Sequence, residues 1–175
     1  MKANKITGFH WVIIGSVVFI VALVLLGALN KTARSDLSNR ELAMICTTDM
    51  ATEFHIHPNI SIIADGKTVP IPPNIGVRAG CMNPLHTHDA DGTIHVEAPE
   101  KRDFTLADFF AVWSEPFSEE QVLSYITDET HRIRVTANGK EVDDFENLVM
   151  KDRQEIVIFY EEITTSTAED SVDES

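Results

Sequence analysis

The sequence predicts an α+β domain, built from a small mixed or antiparallel sheet of two hairpins plus closing strands with one or two helices, and preceded by one transmembrane helix. Two turn signals, Asp65-Gly66 and Asn138-Gly139, each separate segments rich in β-branched residues and so predict the hairpins. Apolar residues at helical spacing in residues 104–113 predict the main helix. An uncharged apolar run near the N-terminus predicts the transmembrane helix.

The apolar run covers residues 11–29 and contains no charged side chain. A helix of that length spans roughly 28 Å, which is close to the hydrocarbon thickness of a bilayer. We therefore expect residues 1–10 to be a cytoplasmic tail, the lipid bilayer to be a partner of residues 11–29, and the protein to be single-pass with its domain extracytoplasmic. A cleaved signal peptide is the alternative.

The remaining chain divides by composition into three parts. Residues 30–45 are polar and predict a stalk, residues 46–160 predict the folded domain, and residues 161–175 carry six acids and no base. Such an acidic segment predicts a disordered tail. The formal net charge of −14 argues against nucleic acid as a partner, because a phosphate backbone repels an acidic surface.

Within the domain the pattern alternates between strands, turns and helices. In chain order it predicts a strand at 53–64, a return strand at 67–71, a loop at 74–92, a strand at 93–98, a helix at 104–113, a second short helix at 118–125, a hairpin at 131–142 and a last strand at 154–160. Thr105 is the candidate N-cap of the main helix, with Asp108 at its third position. The hairpins and closing strands are β-grasp-like elements.

The chain has two cysteines, Cys46 and Cys81. In an extracytoplasmic domain an even pair predicts a disulfide, which by closing a loop of about 35 residues would contribute roughly 4 kcal/mol. A reduced Cys81 serving as a thiolate metal ligand is the alternative.

Histidine is concentrated in one part of the domain. Five of the seven histidines lie between residues 55 and 95, namely His55, His57, His86, His88 and His95. His55 and His57 form an H-x-H on the predicted strand, where the two side chains point to the same face, about 6.6 Å apart at the backbone. His86 and His88 form a second H-x-H. Three segments could therefore gather enough imidazoles to hold one metal ion.

Imidazole is a ligand for zinc, copper, nickel and iron, and we expect a copper or zinc ion as the cofactor. Asp89 and Glu97 adjoin the candidate ligands and are candidates for orienting an imidazole through its other nitrogen. A buried network of histidines and carboxylates without metal is the alternative. A calcium loop at 89–92 is disfavoured, because the later ligands of such a loop do not follow.

The blocks HIHPNISIIADGK, IPPNIGV, CMNPLHTHDADGTIHVE and FTLADFFAVW occur in this order. Together they resemble a family of prokaryotic membrane-anchored or exported proteins of uncharacterised function. The resemblance covers roughly residues 46–160, and the five clustered histidines, Cys81, Asp89 and Glu97 fall on its pattern. The family's usual glycine is replaced near Ala107. The resemblance implies an extracytoplasmic domain and supplies no reaction.

Three functions fit these observations. The leading hypothesis is a membrane-tethered module that binds or delivers copper or zinc, with the five histidines as its ligand pool. The second is an enzyme with an open metal position, in which Glu97 or Asp89 is the general base. The third is a non-catalytic accessory subunit of a membrane complex, with a membrane protein as partner and a structural histidine network.

Overall fold

The computed structural model describes residues 8–48 and 53–163, and the chain divides into two units between Ser38 and Asn39. The first unit contains one helix, α1 (Gly8–Ser35). Within the described residues, no helix combines the length and the apolarity needed to cross a membrane. The transmembrane helix at 11–29 therefore stays a prediction. The acidic tail was predicted to begin at residue 161, but Glu161 and Glu162 belong to the last strand, and residues 164–175 lie outside the described residues.

The second unit combines short helices with several small sheets. Its described helices are α2 (Asn39–Ala43) and α3 (Leu106–Trp113). Its described strands are β1 (Phe54–Ile56), β2 (Asn59–Ala64), β3 (Lys67–Val69), β4 (Val77–Arg78), β5 (Cys81–Met82), β6 (Leu85–His86), β7 (His95–Ala98), β8 (Gln121–Val122), β9 (Tyr125–Ile126), β10 (His131–Ala137), β11 (Lys140–Val142) and β12 (Glu155–Glu162). The α+β prediction is confirmed.

The main sheet has five strands in the order β11-β10-β12-β2-β3. Its two central strands, β12 and β2, are parallel, and the flanking pairs are antiparallel hairpins. Alternate residues of β2 and β12 are buried, among them Ile60, Ile62, Ile156 and Ile158. The hairpin turns at Asp65-Gly66 and Asn138-Gly139 form as predicted, because these residues adopt the positive φ that tight hairpin turns require.

A second sheet, with the order β1-β7-β6, adjoins the central strand β2. The predicted strand at 53–64 is interrupted at Pro58, so that β1 belongs to this small sheet and β2 to the main one. Two backbone hydrogen bonds join the sheets: Ile94 donates to the carbonyl of Pro58, and Ile60 donates to that of Gly92, both at 2.9 Å. A Cβ at Gly92 would overlap the Ile60 carbonyl oxygen, so this approach requires glycine.

A disulfide joins Cys46 to Cys81, with their Cα atoms 5.4 Å apart, as the sequence predicted. It connects the segment after α2 to β5. The backbones of Thr47 and Met82 exchange two hydrogen bonds beside it. Leu42 and Ala43 of α2 are buried, so the folded unit includes residues that the sequence assigned to a stalk.

Helix α3 begins at the predicted N-cap. The Asp108 carboxylate accepts a hydrogen bond from the Thr105 backbone N–H at 2.9 Å and is also paired with Arg40 of α2 at 2.7 Å. These bonds satisfy a backbone donor at the helix start and tie the two helices together.

The predicted second helix at 118–125 is wrong, because this segment forms the hairpin β8–β9. The Ser118 hydroxyl accepts hydrogen bonds from the backbone N–H groups of Glu120 and Gln121, both at 3.1 Å. These are the bonds of a helix N-cap, but the Gln121 carbonyl accepts from the Ser118 N–H at 2.8 Å, which is not a helical bond. Leu123 then has a positive φ of 54°, which ends any helical path. The loop predicted at 74–92 likewise contains three short strands, β4, β5 and β6.

Candidate metal centre

The small sheet places the candidate ligands on one of its faces. Strand alternation puts His55 and His57 on the same side, while Phe54 and Ile56 point the other way. In the register of the sheet, His55 is opposite Glu97 across β1 and β7. His86 is opposite His95 across β6 and β7. The opposite face carries Leu85, Val96 and Ala98, which are all buried.

Five imidazoles therefore meet around His95. One ring nitrogen of each residue in the group His55, His57 and His95 lies within 4.8 Å of the others, and the same holds for the group His86, His88 and His95. We call the first group the outer triad and the second the inner triad. The ring of His95 lies 4.8 Å from those of His57 and His88 and 5.3 Å from that of His86, measured between centroids.

His86 is the most constrained ring of the cluster. Its residue is fully buried, and its Nδ1 lies 2.9 Å from the carbonyl oxygen of Asn83. Because a carbonyl only accepts, Nδ1 must carry the proton, and Nε2 presents a lone pair. That Nε2 atom is buried and has no hydrogen-bond partner. Metal-binding histidines commonly have this arrangement, with one nitrogen held by a carbonyl and the other directed at the ion.

Burial disfavours the charged form of His86 and His95. Loss of contact with water lowers the pKa of His86, since the charged imidazolium is disfavoured away from solvent. Burial also lowers the pKa of His95, and the neighbouring imidazoles lower it further. A neutral imidazole is the form that binds a metal.

Carboxylates lie beside the outer triad. Oε1 of Glu97 is 3.2 Å from Nε2 of His55, and Glu97 is mostly buried. Oδ1 of Asp152 accepts a hydrogen bond from the backbone N–H of His57 at 3.0 Å and lies 3.9 Å from its Nδ1. Asp89 is exposed, and it makes no hydrogen bond to an imidazole within the described part of the chain.

The interpretation of Cys81 as a thiolate ligand is wrong, because its sulfur is bonded to Cys46. The remaining histidine of the second unit, His131, lies in the main sheet, where it stacks on Tyr160 and faces Asp128 and Asp65. The candidate ligand set is therefore the five clustered histidines alone.

The geometry fits one ion after small side-chain rotations. Nitrogens bound tetrahedrally about 2.0 Å from a common ion lie roughly 3.3 Å from each other, so the separations within each triad must shorten by at most about 1.5 Å. Exposed rings can make that movement: the side chains of His55 and His57 are 37% and 43% exposed. Nitrogen donors of this kind suit late transition metals, whereas calcium and magnesium prefer oxygen.

Two residues of this site carried no signal in the sequence. Asn83 takes part through its backbone carbonyl, which contacts His86. Every residue has such a carbonyl, so the residue type gives no indication of this role. Asp152 reaches His57 across a separation of 95 residues, which no local pattern reports.

Comparison with known proteins supplies no relative: no family model matches the chain, and no curated protein or solved structure matches it either. The resemblance described from the sequence blocks therefore stays an expectation. The function must be argued from the histidine cluster itself.

Proposed function

We propose that the domain binds a copper or zinc ion through imidazoles gathered around His95, and serves to hold or deliver that ion. The observation that carries the proposal is the Nε2 atom of His86, which is buried without a hydrogen-bond partner. A buried polar atom without a partner costs free energy of about 1–3 kcal/mol. A metal ion bound there would remove that cost.

Copper and zinc are the favoured ions for chemical reasons. The candidate ligands are imidazoles, and the affinity of nitrogen sites for divalent ions rises along the first transition row to copper. Zinc binds three or four imidazoles with tetrahedral geometry and without redox chemistry. In two of the rings one nitrogen already has a partner, which leaves the other nitrogen for either ion. Glu97 lies against Nε2 of His55, and the Asn83 carbonyl lies against Nδ1 of His86.

The test compares two histidine substitutions in the full-length chain, purified without a polyhistidine tag. His95→Gln removes the ring common to both triads, whereas His131→Gln removes a ring of the main sheet and is the matched control. After dialysis against copper or zinc, elemental analysis should find one equivalent in the wild type and in the control, and less than a tenth of that in His95→Gln. Circular dichroism should show all three proteins folded.

A folded wild-type chain without bound metal would refute the proposal, as would a His95→Gln protein that keeps its full equivalent. The described residues supply no observation that favours the enzyme or the accessory-subunit interpretation, and both stay hypotheses from the sequence.

Membrane attachment is a separate proposal, supported by the uncharged apolar sequence of residues 11–29. The metal site does not depend on it. If the helix anchors the chain, the protein should remain in the membrane pellet after alkaline carbonate extraction, and added protease should reach the domain only from the extracytoplasmic side. Release into the carbonate supernatant would contradict the anchor.

A further inference from the structure

We propose, building on the metal-binding function above, that the two triads are alternative positions of a single ion, which passes between them through His95 and leaves the protein from the outer triad. The inner triad holds the ion, and the outer triad presents it to an accepting ligand. The domain is then suited to transfer of a transition-metal ion more than to its permanent storage.

Sharing one ring makes the two positions mutually exclusive. A neutral imidazole has one lone-pair nitrogen and one N–H, so His95 can ligate one ion at a time. Occupying both triads together would require an imidazolate bridge between two dications, which repel each other strongly at that separation. The transfer requires one and the same nitrogen of His95 to serve both groups, so that the ion keeps this ligand while it exchanges its other two.

The two triads differ in burial and in the way their rings are held. The inner triad combines the exposed His88 with His86, which is fully buried and fixed through the Asn83 carbonyl. The difference between the triads therefore comes from His86. A preorganised, desolvated ligand binds tightly because little freedom is lost when the ion arrives. The outer triad has His55 and His57, each more than a third exposed at its side chain. Incoming ligands from water or from a partner can reach an ion there.

The rings also form a continuous path. Ring centroids are 4.8 Å apart from His88 to His95 and 4.8 Å apart from His95 to His57. His55 continues the path at 4.4 Å from His57, with Glu97 beside it. A carboxylate next to the outer position offsets part of the positive charge of an ion that has left the inner one. An ion can thus change ligands one at a time without passing through a bare state.

The experiment measures zinc transfer to a chromophoric chelator by stopped flow, using the full-length chain loaded with zinc. The double substitution His55→Gln, His57→Gln removes the outer triad and leaves the inner one intact. We expect its zinc dissociation constant to change less than about threefold, while transfer slows by at least about tenfold. The double substitution His86→Gln, His88→Gln should weaken binding by more than about tenfold and speed transfer. His131→Gln is the control and should leave both quantities unchanged.

The outcomes separate this inference from the proposed function. A wild-type chain that takes up neither zinc nor copper would refute both, and a chain that takes up only copper is tested in the same way with copper. A chain that binds one zinc ion but transfers it at the same rate with and without His55 and His57 would refute the two-position inference alone. Binding of two zinc ions per chain would also overturn it, because both triads would then be filled together.

Discussion

Replacing both Cys46 and Cys81 by serine removes the covalent link between the segment after α2 and β5. The two cysteines are separated by 35 positions in the chain. The chain-entropy model assigns a crosslink of that length about 4 kcal/mol of stability, because it restricts the unfolded chain. With a urea m-value of about 2 kcal/mol/M for a domain of this size, the unfolding midpoint should fall by about 2 M.

The assay is urea unfolding of the metal-free protein in EDTA, followed by the fluorescence of Trp113. This side chain lies against Phe109 and Phe110 and so reports on the core around α3. A Trp11→Phe background removes the signal of the exposed tryptophan in α1. Wild-type protein in reductant is the control and should unfold with the variant. A midpoint shift below about 0.5 M would refute the reasoning, since the crosslink would then contribute little.

Three further substitutions test the packing and charges of the domain. Gly92→Ala should lower the free energy of unfolding by about 3 kcal/mol, because Gly92 has a positive φ and the new Cβ would meet the Ile60 carbonyl. Gly66→Ala is the control, since Gly66 has a similar φ but lies in open space, and it should cost only about 1 kcal/mol. Equal losses in urea unfolding would contradict this explanation. Asp108→Ala should lower the free energy of unfolding by about 2 kcal/mol in the same assay, since it removes a buried carboxylate that caps α3. An unchanged urea midpoint would show that the cap is unimportant. The Arg134 guanidinium donates two hydrogen bonds to Glu161 and lowers the pKa of that carboxyl. The pair therefore stabilises the fold fully above the ordinary pKa of glutamate. The stabilisation is lost as the pH falls through the lower pKa of the folded state. Glu161→Gln should therefore cost at most about 1 kcal/mol at pH 7 and less at pH 2, and a constant difference across that range would contradict the pairing.

Local features of the fold were readable from the sequence. The hairpin turns Asp65-Gly66 and Asn138-Gly139 and the start of α3 at Thr105 depend on neighbours within a few residues, so the pattern predicts them directly. The error at 118–125 has the same origin: Ser118 makes the hydroxyl bonds of a helix start, yet the chain turns at Leu123 and forms a hairpin.

Part of the histidine cluster could likewise be predicted from the sequence, and part of it required the tertiary structure. Strand alternation alone requires His55 and His57 to share a face, and the same holds for His95 and Glu97, because the side-chain period of a strand is two. The order of the strands in the sheet could not be predicted in this way, because strand pairing joins segments that lie far apart in the chain. The sequence thus determined the ligand types and their local spacing. Only the tertiary structure decided that His86 stands opposite His95, that Cys81 is in a disulfide, and that the carbonyl of Asn83 holds His86, because each of these depends on contacts between distant segments.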